Sequence, residues 1–279
     1  MNLHPKTLFA ACGLLTAMGA GAPASAADAC DSVIATYDVS LAREDTFSVS
    51  AAFRQPTSRL DLFWFPVSER PEGQAESIAN LRGFDTHFDN SYFFAGHAFF
   101  LIDYDWPVCP VDVAFNLPAG WNVTSPWAMK ANVATAPVPM NLAQNVFAMG
   151  TDKAETVRLG GRTLTWLIAD DLKQARPDIE KLLQTLPATY AEFWGGADWD
   201  KYLVFIFGDD MTDGGAFQDS FAMRLATPLN EAEKITWSHT LGHEMMHLWN
   251  GAGLLRGENP DETNWLTEGF TDYLTIKLM

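Results

Sequence analysis

Five residues, His243-Glu244-Met245-Met246-His247, constrain the fold of this 279-residue chain more than any other feature. The two histidines are four positions apart, and on an α-helix such positions share one face, about 6 Å apart along the axis. Imidazoles stacked in that way can each aim a ring nitrogen at one tetrahedral ion. Glu244 follows the first histidine directly, so its carboxylate reaches the edge of the site rather than the ion. That is where a general base for a metal-activated water belongs. The motif therefore calls for a helix here, and for a second segment that completes the coordination. Trp265-Leu266-Thr267-Glu268-Gly269-Phe270-Thr271-Asp272-Tyr273 offers it. Glu268, separated from His247 by twenty residues, is the candidate third ligand. Asp272 lies one helical turn beyond Glu268, where a carboxylate can accept the second ring N–H of a ligand histidine and fix its tautomer. His243, His247 and Glu268 as ligands, Glu244 as base and Asp272 behind a ligand ring form a supported site for Zn2+. A mere surface pair of histidines on a helix leaves the downstream carboxylates unexplained.

The N-terminus bears on where such a site would work. A lysine at position 6, a short apolar run from Leu8 to Ala22 and an Ala24-Ser25-Ala26 end describe a secretory signal peptide with cleavage after about Ala26. The run is too short and too rich in small residues to favour a membrane span. The expected mature protein is exported, periplasmic or secreted, with no membrane span. Removing residues 1–26 takes away one lysine and no acid, so the net charge moves one unit below the −17 of the whole chain. That balance disfavours nucleic acid and anionic membranes as partners. Cys30 and Cys109 remain, an even count in an oxidising compartment; the count allows a disulfide and leaves its formation open. Nothing in the sequence sets the oligomeric state.

Residues 27–149 read as a β-rich domain. Val33–Ser40, Thr46–Ser50, Leu60–Phe65, His97–Ile102 and Val111–Phe115 are short β-prone runs separated by Pro and Gly, the pattern of an antiparallel sandwich. The proline-rich stretch Ala136–Pro139 is the candidate boundary. Residues 150–279 mix helix and strand. Arg162–Ile168 and the near-continuous apolar run Lys201–Phe207 are strands, the second central in a sheet. Pro177–Trp194 is an amphipathic helix with Ile179, Leu182, Leu183, Leu186 and Tyr190 on one face. Gly214-Gly215 breaks the chain before a strand over about Ser220–Leu225. Asn230, with Glu233 three residues on, caps the motif helix, Asn250-Gly251 ends it, and a second helix starts at about Asn264. The fold class expected is α+β.

His243-Glu244-Met245-Met246-His247-Leu248-Trp249-Asn250, followed by Trp265-x-x-Glu268-Gly269-Phe270-Thr271-x-Tyr273, resembles the glycyl aminopeptidase family of zinc metallopeptidases. Asn116–Trp121 and Val146–Gly150 add to the likeness, which is strong over 235–275 and looser before. The resemblance implies a β-sandwich domain followed by a thermolysin-like catalytic domain. It implies Zn2+ on His243, His247 and Glu268, with Glu244 drawing a proton from water and Asp272 orienting a ligand histidine. The substrate it implies is a peptide or protein, cleaved as an aminopeptidase would, at small N-terminal residues.

Two departures from the family pattern stand out. The family carries Gly-Gly-x-Glu-His on the strand edging its active site, and the glutamate is expected to hold a substrate's free amino group. The matching segment here is Gly214-Gly215-Ala216-Phe217-Gln218, with Phe217 at the glutamate position and Asp219 or Asp213 as candidate substitutes. The sequence also stops at Met279, before the helical subdomain that supplies an oxyanion donor in related enzymes. Tyr273 is off the ligand face and a poor substitute. The alternative reading is therefore a catalytically feeble, zinc- and peptide-binding relative or fragment. His239, four residues before His243, reads as a packed neighbour. His87, His97, Asp103, Asp105 and the Asp209-Asp210 run read as structural or solvated residues.

Overall fold

The computed structural model describes residues 30, 33–43, 46–53, 61–62, 85–88, 90–96, 100–102, 106–197, 199–251 and 265–279. The expected export signal, His97, Asp103, Asp105, Asn264 and Pro260 lie outside the described residues, as does the side chain of His87. The fold is α+β, a β-rich N-terminal half followed by an α/β half.

The N-terminal half holds β1 (Ala35–Arg43), β2 (Thr46–Phe53), β3 (Asp61–Leu62), β4 (Asp85–Phe88), β5 (Ser91–Ala95), β6 (Leu101–Ile102), β7 (Val111–Asn116), β8 (Asn122–Thr124), β9 (Ala128–Lys130) and β10 (Val133–Ala136). A short helix, α1 (Pro139–Ala143), and β11 (Val146–Gly150) follow. One sheet has the order β2-β1-β7-β10-β9 and a second the order β4-β5-β11-β8. The pairing is antiparallel apart from β1 and β7, which run parallel because the chain between them crosses into the second sheet. The stretch Ala136–Pro139 leads from β10 directly into α1, with Pro139 at its first turn.

Every residue of β11 is buried, which a strand exposed on either face could not achieve. Its alternating side chains serve two cores. Phe147 and Met149 join Tyr37, Val113 and Phe115 of the first sheet, and Phe147 stacks on Phe94 at 5.4 Å. Val146 and Ala148 point the other way and join Phe93 against Leu203, Phe205 and Phe207 of a third sheet.

That third sheet belongs to the C-terminal half and has the order β12 (Glu155–Leu159), β13 (Arg162–Ile168), β14 (Lys201–Asp209), β16 (Ser220–Ala226), β15 (Asp213–Ala216). β13, β14 and β16 are parallel, and β12 and β15 are antiparallel edges. Tyr202 to Phe207 of the central β14 are all buried, as a strand covered on both faces requires. The second sheet covers one face. On the other lie α2 (Arg176–Trp194) and α3 (Glu231–Met246), which bury Ile179, Leu183, Leu186, Tyr190, Trp237, Leu241, Met245 and Met246 against β13, β14 and β16. After α3, a π-helical turn (Trp265–Gly269) runs into α4 (Phe270–Leu278). The molecule is thus layered as sheet, sheet, sheet and helices. Gly214-Gly215, read as a break in the chain, lies within edge strand β15.

Candidate metal centre

Asn230 opens α3 by accepting from the backbone N–H groups of Ala232 and Glu233 at 2.9 and 3.0 Å. Three turns on, the apolar face of the helix is buried, and His243 and His247 stand on the adjoining face at its C-terminal end. The α-helical run stops at Met246, four residues before the Asn250 end expected. His247 to Asn250 form a tighter turn whose N–H groups of Leu248 and Trp249 reach back three residues. Trp249 holds this turn from outside by donating its indole N–H to the Gly196 carbonyl at 2.7 Å. Glu268 sits in the π-helical turn and Asp272 in the first turn of α4. Such a widened turn is rare and recurs at functional sites.

These elements bring three donor atoms together. His243 Nε2 lies 3.0 Å from His247 Nε2 and 3.1 Å from Glu268 Oε2, and His247 Nε2 lies 3.5 Å from that same oxygen. Metal bonds of about 2.0–2.1 Å to the corners of a tetrahedron set neighbouring donors about 3.3–3.4 Å apart, so the three edges have the right size for zinc. The hydrogen bonds behind the rings say which nitrogens hold protons. His247 Nδ1 is 2.9 Å from the Asn250 carbonyl, which only accepts, and His243 Nδ1 is 2.8 Å from Asp272 Oδ1. Both Nδ1 atoms therefore donate, and in neutral rings both Nε2 atoms carry lone pairs. Two lone pairs and a carboxylate oxygen converge with no proton among them, an arrangement that a cation satisfies. Residues and geometry fit Zn2+.

The electrostatics show that a proton competes with a cation for this place. Burial opposes charge on His243 and His247, yet the hydrogen bonds to Glu268, and to Asp272 or the Asn250 carbonyl, outweigh it and raise both proton affinities. The same bonds from His243 and His247 hold the Glu268 carboxyl far below the usual carboxylate range. Glu244 behaves oppositely. It is only 7% exposed, and burial raises its pKa against the pull of His247 and His243. A carboxylate that takes protons more readily than usual, beside a cation site, has the character of a general base.

The strand beside it is shaped for that carboxylate. A Cβ placed on Gly214 would lie 2.7 Å from Glu244 Cγ and 2.9 Å from Oε1, so β15 approaches the base through a missing side chain. Gly214 and Ala216 pair with Met223 and Phe221 and share their helix-side face. Gly215 and Asp213 turn to the other face. Phe217 packs into the apolar cluster between the second and third sheets. Gln218 accepts from Asn141 Nδ2 at 2.7 Å, and its backbone N–H donates to the Gln144 carbonyl. Of the five residues expected to meet substrate, Gly214 and Ala216 therefore face the helix side, whereas Phe217 and Gln218 are turned toward the N-terminal half.

Both candidate substitutes for the missing glutamate are engaged elsewhere. Arg224 donates to Asp213 at 3.1 Å and to Asp209 at 3.2 Å, on the face away from α3. Asp219 is held by Asn145, through its own backbone N–H at 2.9 Å and its carboxylate at 3.4 Å, and burial raises its pKa. His239 reaches Asp272 Oδ1 at 3.6 Å and shares that carboxylate with His243. Tyr273 is 58% exposed and stacks on Phe270.

Gly242 and Asn250 also shape the site; the sequence marks Asn250 only as the helix end and as part of the motif that carries the resemblance, and gives Gly242 no part. A Cβ on Gly242 would lie 2.5 Å from Met279 Sδ and 3.0 Å from Thr275 Cγ2, so its bareness lets α4 lie close on α3. Glycine inside a helix costs about 1 kcal/mol relative to alanine, which is the signal that marks it. Asn250 bonds to Leu266 and Thr271, with no periodic signal to announce it.

No protein-family model matches the chain, and no curated protein sequence matches it. Among solved structures, the chain is similar to the crystal structure of an aminopeptidase N family protein from Idiomarina loihiensis, with 18% identity and a TM-score of 0.55. The match covers 68% of this chain and 37% of that one. The likeness is one of fold.

Proposed function

We infer that the chain is an exported zinc peptidase that hydrolyses peptide or protein substrates with Glu244 as general base. The observation that carries this reading is the convergence of His243 Nε2, His247 Nε2 and Glu268 Oε2, with each Nδ1 engaged behind its ring, beside a buried carboxylate. The aminopeptidase N fold of its structural neighbour supports it. Zinc in such a site supplies Lewis acidity and brings the pKa of water to about 7. Glu244 would take a proton from the attacking water and return it to the leaving amine, and its raised proton affinity suits it to both steps. His243 is held in one tautomer by Asp272 and His247 by the Asn250 carbonyl. Edge strand β15 offers backbone groups for a substrate strand lying along the base, which packs against Gly214. Export is supported by the signal-like N-terminus and by the disulfide between Cys30 and Cys109, since such bonds persist in oxidising compartments.

Action as an aminopeptidase on small N-terminal residues is the preferred mode, on the resemblance of the metal-site motifs. A second reading, an endopeptidase or a feeble zinc- and peptide-binding relative, is favoured by one observation. Phe217 is packed among apolar side chains, and Asp213 and Asp219 are already bonded. Peptides with free and blocked amino termini, given to the zinc-loaded protein with Glu244→Gln as control, test both. Cleavage of free-amino peptides alone, lost in the control while zinc stays bound, is the expected result. Cleavage of both kinds means an endopeptidase. Activity unchanged in Glu244→Gln would overturn the mechanism.

A further inference from the structure

Asn250 lies three residues past His247 and is 3% exposed. Its backbone carbonyl accepts the His247 Nδ1–H at 2.9 Å. Its side-chain amide donates to the Leu266 carbonyl at 2.8 Å and to Thr271 Oγ1 at 2.9 Å. Leu266 precedes Glu268 by two residues in the π-helical turn, and Thr271 follows it by three in α4. One buried residue thus touches the ring of one ligand and grips the backbone segment of another on both sides. The direction of these bonds is forced. The Leu266 carbonyl only accepts, and Thr271 Oγ1 spends its own proton on the Thr267 carbonyl at 2.5 Å. Both contacts therefore need amide N–H groups, and a carboxylate of the same shape supplies neither.

We propose that Asn250 is a positioning residue that holds the Glu268-bearing turn at metal-binding distance from His243 and His247. The inference rests on the reading that these three residues hold zinc. Glu268 is largely exposed, so its position depends on what grips its flanks. Loss of the amide donors leaves all three ligands in the chain and misplaces one of them. A residue that only finished the helix would act differently: the metal-free protein would lose stability, and the folded protein would bind zinc as before.

The test uses the full chain as wild type, Asn250→Asp, Thr271→Val and His247→Ala. Zinc affinity is measured by chelator competition, metal geometry by the visible spectrum of the cobalt-loaded protein, and stability by thermal unfolding of the metal-free protein. Asn250→Asp is expected to lose roughly ten- to a hundredfold in zinc affinity, the usual effect of removing a residue that supports a ligand, with an altered cobalt spectrum. Thr271→Val removes one acceptor and keeps the Leu266 contact, so a smaller loss in the same direction is expected. Wild-type zinc affinity and cobalt spectrum in folded Asn250→Asp would overturn the proposal whatever its melting temperature. If that variant does not fold, wild-type affinity and spectrum in Thr271→Val would overturn it instead. Zinc binding undiminished in His247→Ala would overturn the metal reading itself.

Discussion

Gly214 leaves no room for a side chain, and that makes it a probe of the base. In Gly214→Ala the new methyl would meet Glu244 Cγ at 2.7 Å, closer than Cβ atoms come to their neighbours, and the buried glutamate has little space to retreat. A misplacement of about 1 Å in a reacting group can cost on the order of a hundredfold in rate. Gly214→Ala should therefore lower kcat by about tenfold or more. The zinc ligands are untouched, so zinc content should stay at the wild-type level. Unchanged kcat in a zinc-replete variant would show that Glu244 is not the base in this position. Asp219 gives a prediction in pH. Burial raises its pKa, so the folded state binds its proton more tightly than the unfolded state does. Its contribution to stability is fully present below the unfolded carboxylate pKa of about 3.9 and is lost as pH rises through the raised folded value. Near neutral pH the ionised Asp219 is therefore a burden. Asp219→Asn should unfold at a higher temperature than wild type at pH 7, with the gain shrinking toward pH 4. A gain that does not change with pH would place the effect elsewhere.

Elements differ in how plainly the sequence announces them, and α3 shows both extremes. Its start is legible because one side chain does one job: Asn230 bonds two N–H groups that the helix leaves unpaired. Asn230→Ala should lower stability by about 1 kcal/mol, read as a shift in the denaturant midpoint, and an unchanged midpoint would remove the cap from the account. The end of α3 is less legible, because the turn from His247 to Asn250 is set by bonds to Gly196, Leu266 and Thr271, all remote in sequence. Strands β13, β14 and β16 could be read from apolar runs, and α2 from its spacing of Ile179, Leu183, Leu186 and Tyr190. β15 could not be read from local preference. Two glycines oppose a strand on propensity, and it forms because β16 supplies the pairing and Glu244 occupies the side-chain space. The proposed metal-binding set was legible for the opposite reason: helical geometry alone places His243 beside His247, and a downstream carboxylate one turn before another marks Glu268 and Asp272. Widening of the Glu268 turn left no trace in composition.

On the scale of the whole molecule, the second and third sheets lie between the disulfide and the candidate metal centre, and this separation has a testable consequence. Cys30 and Cys109 are bonded across 79 residues of sequence, just ahead of β1 and β7. Those strands are the parallel pair of the first sheet, so the bond closes the same long crossover that their pairing must close. In the unfolded chain it removes much of the entropy that pairing would otherwise oppose. For a loop of this length the chain-entropy estimate is about 4–5 kcal/mol. Reduction, or replacement of both cysteines by serine, should lower the denaturant midpoint by an amount on that order. Zinc bound per native molecule should remain unchanged, because α3 and α4 lie on the far side of the third sheet. Following unfolding by tryptophan fluorescence and zinc release in the same titration separates the two effects. An unchanged midpoint would mean that the bond constrains the unfolded chain very little. Zinc release at denaturant concentrations where the reduced protein is still folded would mean that the first sheet, through the second, helps to set the metal geometry. β11 is one element through which such coupling would pass, since its alternate residues belong to the cores on either side. Substitutions at Phe147 and at Val146 would then separate the two halves of that path, the first loosening the sandwich and the second its seat on the third sheet.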